Sequence, residues 1–111
     1  MDARLPAHLE ASGLIRAVEA AGGFAAVVQR GERDAGVILL ITRDRDEDVR
    51  LWERMPHLDG SRPFTVTKIE SVENKAEFSN YIERRRISDP DCWVIELDIA
   101  NAERFIDSAT Q

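Results

Sequence analysis

The apolar positions of the chain change period along its length, and each change predicts an element. Near the start Leu14, Val18 and Ala21 recur at i, i+4 and i+7, the spacing of one helical face. Pro6 suits the first turn of such a helix, where a missing N–H costs no intrahelical bond. Gly22-Gly23 supplies the stop. Ser12-Gly13 interrupts the pattern, either as a kink or as the N-cap of a shorter helix. From Phe24 onward the pattern is that of strands. "FAAVVQR" (24–30) and "GVILLITR" (36–43) flank the short loop "GERDA", which predicts a hairpin. Residues 37–41, "VILLI", are apolar at both parities, so this strand is placed centrally, with a second layer over each face.

"DRDED" (44–48) turns the chain, and "VRLWERM" (49–55) predicts a strand with Arg50, Trp52 and Arg54 on one face and Val49 and Leu51 on the other. The loop "PHLDGSRP" and the alternating "FTVTKIE" (64–70) follow. Residues 71–87 read as an amphipathic helix with Phe78, Ile82 and Tyr81 facing inward, and with Ser71 and Asn74 at its start. Asp89-Pro90-Asp91 is a turn. "CWVIELD" (92–98) is a strand with Trp93, Ile95 and Leu97 toward the core and Cys92, Val94, Glu96 and Asp98 on the other face. A short tail helix ends the chain, capped by Asp98 and anchored by Ala102, Phe105 and Ile106. The order predicts an α+β fold: a mainly antiparallel sheet of about five strands, its first four in meander. An N-terminal helix, a helix before the last strand and a short C-terminal helix complete it.

Composition narrows this further. At 111 residues the chain is expected to be a single α+β domain spanning 1–111. Its 43% hydrophobic content fills one core, and its 32% charged content is mixed in sign, as on a well-solvated surface. A net charge of −6 argues against nucleic acid and against an anionic membrane as partners. One cysteine rules out an internal disulfide, and there is neither a signal-peptide pattern nor an apolar run of membrane-spanning length. A cytoplasmic location follows.

"AAGGFAAVVQRGERDAGVILL", "ERMPHLDG" and "RRRISDPDCWVIELDIANAERF" together resemble a family of small alphaproteobacterial proteins, domain of unknown function 1491. The resemblance spans about Arg4 to Ile106. Its most specific parts are Arg30, Gly31, Ala35 and Gly36, and the run Asp89, Pro90, Asp91, Trp93, Val94 and Glu96. It implies a single α/β-type domain and carries no activity, ligand or catalytic residue across.

Catalytic and metal chemistry find little support. Asp44, Asp46 and Asp48 have the spacing of the first ligands of a calcium loop, but Val49 stands where that loop needs Gly and Met55 where it needs Glu. Cys92, His8 and His57 show no paired zinc spacing. Cys92 has no neighbouring histidine, and Ser61, Asp59 and His57 form a loop of turn residues. No glycine-rich phosphate loop is present, so no cofactor and no metal are expected.

What remains is arginine and one carboxylate. Arg84, Arg85 and Arg86 end a helix, where cations complement the dipole. Arg50 and Arg54 flank Trp52 on a face expected to be half-exposed. Glu96, in mid-strand, requires a partner if its face is covered, and Arg85, Arg86 or Arg30 could supply it. Glu96, Arg30, Arg85, Arg86 and Trp52 thus form the candidate cluster, either a structural ion pair or the floor of a ligand cleft. Glu96→Ala is then expected to lower stability by stranding a buried arginine. The reading adopted is a non-enzymatic binding or protein-interaction module, with an unidentified protein partner or self-association through a sheet edge or apolar face. The alternative is a small ligand-binding protein or enzyme with a pocket around Arg30, Trp52 and Glu96.

Overall fold

The structure, a computed structural model, describes residues 5–110 and the side chains of residues 5–106. In chain order its elements are α1 (Ala7–Ala20), β1 (Phe24–Gln29), β2 (Ile38–Asp44), β3 (Glu47–Arg54), β4 (Phe64–Ile69), α2 (Lys75–Ser88), β5 (Trp93–Asp98) and α3 (Glu103–Thr110). Their number, type and order match the hydropathy pattern. The five strands form one mostly antiparallel sheet.

The order within that sheet is β1-β5-β2-β3-β4. β2, β3 and β4 form the predicted meander, but β1 and β2 do not pair, and the expected hairpin around "GERDA" is absent. β5 lies between them, antiparallel to β1 (Ala26 opposite Glu96) and parallel to β2 (Ile41 opposite Glu96). The loop segment is occupied elsewhere. The Glu32 N–H donates to the Asp91 carbonyl at 2.8 Å, and the Trp93 indole N–H donates to the Glu32 carbonyl at 2.8 Å. Gly31 and Gly36 lie directly against this incoming chain. A Cβ on Gly36 would stand 2.6 Å from the Asp91 carbonyl oxygen, and one on Gly31 would meet the same atom. These glycines permit close backbone approach. They do not close a hairpin.

The two central strands, β2 and β5, are apolar at both parities, and each face of the sheet is covered. On one face Ile38, Leu40, Trp52, Phe64, Trp93, Ile95 and Leu97 pack under α1 and α3. α1 contributes Ala7, Ala11, Leu14 and Val18, and α3 contributes Ile106 with Phe105 beside it. The inward stripe of α1 therefore starts earlier than predicted, and Ala21 lies exposed past its end. The helix runs unbroken through Ser12-Gly13. On the opposite face Leu39, Ile41, Val49, Leu51, Cys92 and Val94 pack under α2, which supplies Phe78, Tyr81 and Ile82 as expected. Each such fully buried aliphatic chain contributes about 1.5–3 kcal/mol.

Local chemistry sets the ends. Asn74 is the residue before α2, so that helix begins four residues later than predicted. The Asn74 carboxamide oxygen accepts the Ser71 N–H at 2.7 Å, and its amide donates to the Ile69 carbonyl. At the far end the Asp91 N–H donates to the Asp89 carboxylate, closing the predicted proline turn. Asp98 does not cap the last helix, which starts at Glu103; its carboxylate accepts the Arg45 N–H at 3.1 Å. Arg45 and Asp46 both have positive φ, 54° and 67°, and form the two-residue turn between β2 and β3. Among the described residues no helix is long and apolar enough to cross a membrane.

Candidate functional site

The five side chains singled out from the sequence do not converge. Glu96 lies on the α2 face of the sheet, beyond the helix, and its carboxylate meets Arg43 at 2.9 Å. That arginine, on the neighbouring strand β2, replaces all three expected partners. The pair is about one-third exposed on each side, so Glu96 is not a deeply buried charge. Arg30 stands at the opposite end of β1, its guanidinium 5.4 Å from the centre of the Trp93 ring. Arg86 donates to the Gln29 side-chain oxygen and to Glu83, and Gln29 in turn donates to the Cys92 carbonyl at 2.9 Å. Trp52, expected on a half-exposed face, is 7% exposed beneath α1 and α3, and its indole N–H donates to the Thr42 hydroxyl at 2.9 Å. Its flanking arginines are occupied: Arg50 by Asp48 at 2.8 Å, and Arg54 by Glu10, the Arg62 carbonyl and the Phe64 ring.

Arg85 does find a carboxylate, and it is Glu53. On β3, Glu53 is 8% exposed and accepts from Arg85, from the Thr67 hydroxyl at 2.6 Å and from the Tyr81 hydroxyl at 3.1 Å. Burial pushes the Glu53 carboxyl up, but the hydrogen bonds from Thr67, Arg85 and Tyr81, with the Arg85 charge, outweigh it. The net pKa lies below the ordinary carboxylate value, so Glu53 is a settled anion that fastens α2 to the sheet. The signal was present in the sequence: in "VRLWERM" a period of two places Glu53 on the face of Val49 and Leu51.

Cys92 is fully buried under α2. Burial, then the charge of Asp89, pushes its thiol up, which opposes a nucleophilic role. Ser61 donates to Asp59, and among the described residues its hydroxyl has no contact with His57. An open cleft of about 680 Å³ lies between the start of α1, residues 34–38 and Arg54 and Arg62. Its backbone donors at the helix start are already used, because the Ala7 and His8 N–H groups donate to the Asp34 and Arg33 carbonyls.

The most conspicuous unpaired surface is β1 itself. It is an edge strand, and its burial pattern contrasts with that of every other strand. Phe24 is 77% exposed, Val27 43% and Val28 41%. No charged residue occurs from Gly22 to Gln29. Edge strands are ordinarily blunted by charge, especially Lys, and the other edge, β4, carries Lys68 paired with Glu77. Phe24 and Ala26 lie on the α2 side of the sheet, opposite Asp98 and Glu96, where α2 does not reach.

The two segments that carry the family resemblance touch each other: Arg30, Gly31 and Gly36 pack around Asp91 and Trp93. The comparisons agree with that resemblance. The family model described as "Protein of unknown function (DUF1491)" matches residues 5–107. The crystal structure of a DUF1491 family protein from Caulobacter crescentus CB15 is similar at 31% identity and a TM-score of 0.79, over 92% of this chain and 94% of that one. The solution structure of protein Atu0922 from A. tumefaciens is similar at 33% identity and a TM-score of 0.75, over 93% of this chain and 92% of that one. No curated protein matches the chain.

Proposed function

The chain belongs to the DUF1491 family, and for it we propose a non-enzymatic role: a cytoplasmic, single-domain interaction module that takes on a protein segment by strand addition at β1. One observation carries the reading, the neutral and apolar edge from Phe24 to Val28, left exposed at the rim of the sheet. An added strand would gain main-chain hydrogen bonds along that edge, and its alternate side chains would cover Phe24 and Val27. The acidic balance of the chain supports a protein partner over nucleic acid or an anionic membrane. The single, buried cysteine is compatible with a reducing compartment.

Titration with extended, apolar, β-branched peptides, followed by amide NMR, tests this. Shifts should centre on residues 24–29 and disappear in Ala26→Lys, which places a charge on the edge without touching the core. Shifts centred on the cleft near Arg54 and Arg62, or none with any peptide while the chain is monomeric, would overturn the proposal.

A further inference from the structure

We infer that the segment received at β1 is β1 of a second copy, paired antiparallel about a two-fold axis at Ala26, so that two sheets join into one of ten strands. The inference rests on the edge-strand reading above and names its occupant. An antiparallel edge is self-complementary by geometry, and a two-fold interface uses the same patch twice. With Ala26 opposite Ala26, Ala25 of each copy faces Val27 of the other, and Phe24 faces the irregular step at Val28, where the register of β1 shifts by one residue. Every cross-strand pair from Ala25 to Val27 is then apolar, and Phe24 is set near Val28, an aromatic beside a β-branched side chain. For two chains that each carry a net charge of −6, this uncharged strand is the place where close approach costs least.

The charges just beyond the strand favour a second copy over an unrelated segment. At one end Arg30 is exposed and, among the described residues, has no ion-pair partner; its only contact of this type is the Trp93 ring. At the other end α1 stops at Ala20, three residues before Gly23, with no basic residue in its last turn and with exposed Glu19 there. The helix C-terminus presents a negative dipole end, its last carbonyls already bonded by the N–H groups of residues 21–23, and a carboxylate that has no ion-pair partner among the described residues. Allowing one residue for the shift at Val28, Arg30 of one copy lies just past the strand, beside Gly23 and the end of α1 of the other. Each copy thus brings Arg30 toward the negative helix end and Glu19 of its neighbour, twice per dimer.

The experiment is sedimentation equilibrium on the whole chain from micromolar to millimolar concentration, with a thermal melt of each variant to confirm folding. A monomer–dimer equilibrium is expected. Ala26→Lys should abolish it. Arg30→Glu and Glu19→Arg should each weaken it about tenfold, and the double variant should recover most of that loss by restoring the pair. A wild-type chain that remains monomeric at millimolar concentration would overturn the inference, as would a dimer indifferent to Ala26→Lys or a double variant no tighter than the singles. Peptide titration of the same samples separates the two ideas. A monomer that binds extended peptides at β1 retains the edge reading and loses the second copy, and a monomer that binds none loses both.

Discussion

Arg85, in the last turn of α2, reaches across to the carboxylate of Glu53 near the end of β3, and both groups also bond the Tyr81 hydroxyl. This places one of the more buried ion pairs among the described residues under the helix, while Glu96 and Arg43 sit about one-third exposed on the open part of the same face. Two carboxylates that look alike in sequence therefore differ in energetic weight.

Glu53→Ala removes the acceptor of three hydrogen bonds and strands the Arg85 guanidinium. It should cost about 2–3 kcal/mol of unfolding free energy. Glu96→Ala removes a partly solvated pair and should cost less than about 1 kcal/mol. Urea melts of the two variants should rank them in that order, and equal losses would contradict the assignment of the buried pair.

The pH dependence follows from the same carboxylate. The folded pKa of Glu53 lies below its ordinary value of 4.5, so the folded state binds its proton less readily than the unfolded chain does. The stabilisation is complete above that value and is lost as pH falls through the lower folded pKa. The stability gap between wild type and Glu53→Gln should accordingly be wide at neutral pH and narrow on acidification. A gap that does not change between pH 7 and strongly acidic buffer would refute this.

Two glycines should respond with opposite signs. Gly36→Ala would force a Cβ to within 2.6 Å of the Asp91 carbonyl and 2.7 Å of the Glu32 carbonyl, both backbone atoms, and should cost about 1–3 kcal/mol. Gly13→Ala meets nothing within 4 Å in the middle of α1 and should stabilise by roughly 0.5–1 kcal/mol through helix propensity. Thermal melts of both, on an otherwise identical chain, provide the check.

Cys92 should be slow to react with iodoacetamide in the native state and should become reactive on unfolding, because its thiol is buried and its pKa is raised. Modification at the rate of a small free thiol under native conditions would show that α2 does not hold this face closed.

The elements were legible in the sequence because each is written in a local period. β2 announced itself by five consecutive apolar residues, and the inner face of α2 by Phe78 and Ile82. Strand order was not legible. A short loop with glycine at either end resembles a hairpin turn, and only the arrival of Asp91 and Trp93 against Gly31 and Gly36 shows why those glycines are there. The partner of Glu96 was missed for a related reason. Parallel pairing of β5 with β2 sets Arg43 diagonally across from it, and a parallel neighbour 53 residues away leaves no local trace. The exposure of β1 likewise depends on its position at the edge, which the composition of "FAAVV" alone does not determine.

The placement of β5 also has a consequence in time. Residues 24–44 supply two strands that share no ladder, and the strand that joins them, residues 93–98, is made only after β3, β4 and α2. While the ribosome is still extending the chain, β2, β3 and β4 can pair, but β1 has no strand to pair with and its apolar residues remain open. The sheet is thus completed by a late, long-range insertion, the kind of step that is slow because distant segments must meet before any contact rewards them. For this chain the nascent state, more than the finished one, is where the exposed "FAAVV" segment most needs protection.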